Sequence, residues 1–138
     1  MKRSSILVTV IGSALLMGGA MYKAPRATAS PSLLYLAGQV PLDSAGRVVG
    51  GADFRTQANQ VFKNLRAGLA AAGASFADVV KLNYYLVDMG QLPILREVRD
   101  QYVNPAAPPA STLVEVRRLF GDDVLLEVEA IAVVGRGP

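Results

Sequence analysis

Apolar positions recur at two distinct periods along this chain. From Phe54 to Ala72 they fall at Phe54, Ala58, Val61, Phe62, Leu65, Leu69 and Ala72, one stripe at helical period. Asp53 stands where such a helix is capped, and Gly73 where it is ended. The opposite face carries Arg55, Gln57, Lys63, Asn64 and Arg66 and reads as solvated. A second helix is expected from Gln91 to Val103, with Leu95, Val98 and Tyr102 inward and Pro93 in its first turn. Between the two helices, Ser75 to Asp78 forms a capping-box pattern for one helical turn.

Strand-like runs surround these helices. LLYLAG (33 to 38) is a short apolar run, and RVVGG returns after the turn residues Asp43 to Gly46, which predicts a hairpin. KLNYYLVD (81 to 88) is rich in β-forming residues, with Tyr84 and Tyr85 on opposite faces. PASTLVEVRR (109 to 118) alternates, placing Ser111, Leu113, Glu115 and Arg117 on one face. VLLEVEAIAVV (124 to 134) puts Glu127 and Glu129 beside Ile131 and Val133. The order β-β-α-β-α-β-β, with two singly striped helices, predicts a two-layer α+β domain with both helices on one face of a mixed sheet.

The first 29 residues follow a different pattern. Met1-Lys2-Arg3 is basic, Ile6 to Met21 is apolar, and Ala27-Thr28-Ala29 is a small-residue cleavage pattern. This order reads as a secretory signal peptide, which gives residues 1–29 as leader and 30–138 as one domain exported to the periplasm. An uncleaved membrane anchor or a cytoplasmic chain with a core first helix are the alternatives. The apolar run is shorter than the ~20 residues of a membrane span.

The leader also explains the charge. The chain is net +3, but Lys2, Arg3, Lys23 and Arg26 all lie in the leader; without them ten basic residues face eleven acidic ones. The body has no basic stripe, so no nucleic-acid partner is expected. Neither Cys nor His is present. Serine-hydrolase triads, cysteine nucleophiles and HExxH zinc sites are excluded in their usual forms. What is left is carboxylate chemistry. A strand acid such as Glu127 is solvent-facing, paired with an Arg, or lodged at an interface. In the last case its pKa would rise and it could act as a base toward water.

Four segments carry a resemblance: LAGQVPLD (36 to 43), QANQVFKNLRAGLAAAG (57 to 73), DVVKLNYYLVDM (78 to 89) and PASTLVEVRRLFGDDVLLEVEAIAV (109 to 133). Together they resemble the RidA/YjgF family of small enamine/imine deaminases. The resemblance implies a chorismate-mutase-like fold, a homotrimer and small-molecule clefts at the subunit interfaces. It also implies hydrolysis of imines such as 2-aminoacrylate to keto acids and ammonia, without a metal or cofactor. By position, Glu127 matches the family's water-positioning Glu, Gly38 and Gln39 match its Gly-Gln, and Leu113 sits where backbone contacts the substrate.

The chain departs from the family pattern at three places. Ser111 stands where an Arg grips the substrate carboxylate, Ala37 stands where the pocket has a Ser, and Tyr22 lies two places from the expected N-terminal Tyr. Loss of a buried charge-assisted pair costs about 2–5 kcal/mol. Arg96 is a candidate substitute for the missing guanidinium, while Arg117 is six residues from Ser111, roughly 20 Å along a strand. Three functions are therefore open: an imine hydrolase with altered substrate, a non-catalytic small-ligand-binding trimer, and a chaperone-like interaction surface.

Overall fold

The structure is a computed structural model that describes residues 9–11 and 31–135. The expected cleavage site after Ala29 and Tyr22 lie outside the described residues. The elements are β1 (Thr9–Ile11), β2 (Ser32–Gln39), α1 (Phe54–Ala71), β3 (Val79–Leu86), α2 (Leu92–Arg99), β4 (Ala110–Glu115) and β5 (Leu126–Val134). The strands form one mixed sheet in the order β1-β2-β5-β3-β4. β5 runs antiparallel to both β2 and β3, while β4 is parallel to β3. Both helices cover the same sheet face, as the striping predicts.

Alternation decides which residues go inward. Leu34 and Leu36 of β2, Leu82, Tyr84 and Leu86 of β3, and Leu126, Val128, Ala130 and Ala132 of β5 are buried. They share one cluster with Ala58, Val61, Phe62, Leu65 and Leu69 of α1 and Leu95 and Val98 of α2. Burying each large aliphatic or aromatic side chain contributes about 1.5–3 kcal/mol. Tyr84 is the inward tyrosine of the pair. Its hydroxyl is buried without a partner, and burial pushes its pKa up to about 12.

The local signals at the helix ends hold. Asp53 caps α1 by accepting from the N–H groups of Arg55 and Thr56, and Ser75 with Asp78 forms the reciprocal capping box. Gly73 takes φ +73° just past α1, a conformation that favours glycine.

Four expectations are corrected. The predicted hairpin shrinks to a single bridge, Leu42 to Val48, because Gly50 and Gly51 turn the backbone to positive φ and end the return strand. α2 ends at Arg99; Val103 then bonds Arg99 O at 2.9 Å, and the turn stacks Tyr102 on Phe62 at 5.2 Å. β4 ends at Glu115, so Arg117 lies beyond it, and the two closing strands are separated by β3.

The fourth correction concerns the polar side of α1. Gln57, read as solvated, is completely buried, and Asn64 is half-buried. Each has partners far along the chain that a helical pattern does not reveal.

β1 falls within the leader expected from the sequence and pairs in parallel with Leu34 to Leu36. Cleavage after Ala29 would remove it and leave β2 as a sheet edge.

Candidate active site on the open sheet face

The sheet face away from the helices carries the chemistry. β2 and β5 pair regularly from Ser32↔Val134 to Leu36↔Ala130, but the next pair is Gln39↔Val128. One extra residue is therefore accommodated at Ala37 and Gly38, a β-bulge. The Gln39 side chain, itself buried, fastens it by donating from Nε2 to Ala37 O at 2.9 Å.

The bulge brings Gly38 against Glu127. A Cβ built on Gly38 would lie 2.7 Å from Glu127 Cδ and 2.9 Å from its Cγ, closer than real Cβ atoms approach. Only a residue without a side chain leaves this space to the carboxyl group. Glu127 is half-buried and has no hydrogen-bond partner among the described residues. Its pKa is raised, first by burial and then by the negative charge of Glu129.

Glu129 is held differently. Its Oε1 accepts from Asn83 Nδ2 at 2.8 Å and from Tyr85 OH at 2.8 Å. Donating to that carboxylate raises the pKa of Tyr85 and keeps its hydroxyl protonated. Tyr85 also stands directly across from Glu127 in the β3–β5 register. Further along the same face, Lys81 Nζ donates to Thr112 Oγ1 at 2.5 Å.

α1 fixes both strands of the site through its polar side chains. Gln57 Nε2 donates to Gly51 O and Asp123 O, both at 2.6 Å, while its Oε1 accepts from Leu125 N–H at 2.9 Å. Leu125 precedes Glu127 by two residues. Asn64 Nδ2 donates to Val40 O at 2.9 Å and Leu42 O at 3.0 Å, just beyond Gly38 and Gln39. The helix thus clamps the end of β2 and the start of β5 together.

Of the residues singled out from sequence, the structure joins Glu127, Gly38 and the adjoining Ala37. It does not bring the others to them within one chain. Ser111 and Leu113 align with Leu82 and Tyr84, so they face the helix side of the edge strand β4. Arg96 is exposed on α2, in the helix layer. The neighbours that sequence reasoning left out are Asn83, Tyr85 and Thr112. Their alternation in KLNYYL and ASTLVE was the available signal, but it needed the β3–β5 and β3–β4 registers to become a site.

Against known proteins, the family model described as Endoribonuclease L-PSP matches residues 20–134. The chain belongs to the RidA/YjgF family. A RutC family protein of Pyrococcus horikoshii is 43% identical over 108 residues, covering 78% of this chain and 83% of that one. TdcF of Escherichia coli, whose name assigns it to reactive-intermediate deamination, is 34% identical over 105 residues, covering 74% and 79%. The solved structure of E. coli TdcF with bound serine superimposes with TM-score 0.66 at 33% identity, covering 73% of this chain and 80% of that one. RidA from an Antarctic Psychrobacter reaches TM-score 0.70 at 28% identity, covering 88% and 97%. The two-layer RidA-like fold expected from the sequence is therefore the fold of this chain.

Proposed function

We propose that this RidA/YjgF family member hydrolyses reactive enamine/imine intermediates to a carbonyl product and ammonia, with Glu127 handling the attacking water. The observation that carries this reading is the Glu127 carboxyl itself. It is unpartnered among the described residues, seated over Gly38, and its affinity for a proton is raised by burial and by Glu129. A carboxylate so tuned is a better base for water than an exposed one. As water adds to the imine carbon, Glu127 takes one of its protons and passes it to nitrogen, and a carbinolamine forms. The remaining hydroxyl proton then follows the same route to nitrogen as the C=O bond forms, the C–N bond breaks and ammonia leaves. Atoms balance as imine plus water giving carbonyl plus ammonia, with no redox step.

The active form in this reading is a homotrimer of exported residues 30–138. Support comes from the open sheet face, where Tyr35 and Val114 are more than a third exposed. Ser111 and Leu113 lie on the opposite side of the sheet from Glu127, so one cleft can hold all three only where two copies meet. A ribonuclease role draws no support from the charge, since the body has no basic excess.

The test is keto-acid release from 2-aminoacrylate generated in situ, by the wild-type protein and by Ser111→Arg. Turnover by the wild type supports the hydrolase. Turnover only by Ser111→Arg would mean an intact cleft that takes another ligand. A ligand held without turnover is the second reading, and the serine bound to TdcF favours it.

A further inference from the structure

We propose that Glu129 is a specificity-determining residue of this site, which selects N-protonated imines that carry no carboxylate. The inference rests on the hydrolase reading above and names its substrate class.

Both hydrogen-bond donors to Glu129, the Asn83 amide and the Tyr85 hydroxyl, are neutral, so neither brings a positive charge to it. Both converge on Oε1. Glu129 lies two positions from Glu127 on the same strand face, about 7 Å along the strand. A substrate touching Glu127 therefore meets a second negative charge at close range.

Within one copy, no described residue on this face offsets that charge near Glu127. Among the described residues, the titratable groups here are Glu127 and Glu129 on β5, Tyr85 and Lys81 on β3, and Tyr35 on β2; β4 contributes none. Lys81 aligns with Ile131, four positions from Glu127 or about 13 Å, and is engaged with Thr112. The charge that acts on the Glu127 carboxyl is the acidic Glu129, and no cation lowers it. An α-carboxylate on the substrate would be repelled here, whereas an iminium nitrogen would be attracted by both acids. With a hydroxyl at Ser111, a neutral substituent loses nothing by lacking a carboxylate.

The step is unchanged in its balance. An iminium ion and water give a carbonyl and ammonium: the C–O bond forms, the C–N bond breaks, and the two water protons pass in turn through Glu127 to nitrogen. Glu129 transfers no proton in this step.

The experiment compares two imines made in situ by added oxidases: the carboxylate-free imine from 1-aminopropane, and 2-iminopropanoate from alanine. Hydrolysis is read as protection from trapping by semicarbazide. The wild-type protein is expected to show at least a ten-fold higher kcat/KM for the carboxylate-free imine. Glu129→Gln should shrink that preference mainly through a higher KM for this imine, and should move the basic-group limb of the pH profile to lower pH. Glu129→Asp should restore the preference. Tyr85→Phe, which removes one donor and keeps the acid, should retain the preference.

A wild-type preference for 2-iminopropanoate would overturn the specificity claim and leave the hydrolase standing. Equal losses on both imines in Glu129→Gln, with the pH limb unmoved, would reduce Glu129 to a structural residue. Turnover of neither imine by the wild type would overturn the hydrolase reading and this inference with it.

Discussion

The Glu127 carboxyl group occupies the volume that a side chain on residue 38 would need. A Cβ on Gly38 would stand 2.7 Å from Glu127 Cδ. Gly38 is not among the glycines at positive φ, so glycine is required there for space and not for backbone freedom. Glu127 is a flexible side chain and can swing away. Gly38→Ala is therefore expected to fold with an unfolding midpoint close to wild type, yet to lose about 100-fold in activity, the usual effect of a 1 Å misplacement. Thermal unfolding beside a steady-state assay checks this. Unchanged activity would separate Gly38 from the site.

The same carboxyl group gives a pH signature. Its folded pKa is raised above the ordinary value of 4.5, so the folded state binds this proton more tightly than the unfolded state. Stability contributed by this group is complete below 4.5 and is lost as pH rises through the raised value. Glu127→Gln removes the charge at every pH. It should raise the unfolding midpoint at pH 7 and leave it unchanged near pH 4, as read by denaturant titration at both. A Glu127→Gln protein less stable than wild type at pH 7 would contradict the raised pKa.

Gln57 is the residue whose loss should damage the scaffold most directly. Gln57→Leu keeps the volume but strands Gly51 O, Asp123 O and Leu125 N–H. Each unsatisfied buried group costs about 1–3 kcal/mol, and partial rescue by water at the loop carbonyls brings the expected total to about 2–5 kcal/mol. Equilibrium unfolding in urea measures it. A change below about 1 kcal/mol would mean that these groups find other partners.

These positions also show how far the sequence is readable. The apolar stripe from Phe54 to Leu69 was legible because helical period and burial coincide residue by residue. Gln57 was not, since its partner Asp123 lies 66 residues away and no local pattern encodes that distance. Alternation placed Tyr84 and Tyr85 on opposite faces, and Glu127 with Glu129. It works within a strand, however, and cannot say that Ser111 and Glu127 end up on opposite sides of the sheet. That depends on β3 lying between β4 and β5, a non-local pairing. Gly38 and Glu127 were linked beforehand only by resemblance to the family. Their contact depends on a one-residue bulge that the sequence does not announce.

Export and assembly are tested together. Protein recovered from the periplasm of cells expressing the full chain is expected to begin at Ser30, by N-terminal sequencing, and to scatter light as a trimer. Removal of β1 exposes the Leu34–Leu36 edge, so the trimer must tolerate or cover it. A monomer in solution would contradict an interfacial cleft.

The central claim is that Glu127 carries imine hydrolysis, and one comparison tests it most directly. The purified wild-type and Glu127→Gln proteins, both folded by circular dichroism, are assayed on the two imines above. The account predicts that Glu127→Gln loses about 10²–10⁴-fold in kcat, as expected for loss of a general base. Equal turnover by the two proteins would contradict it.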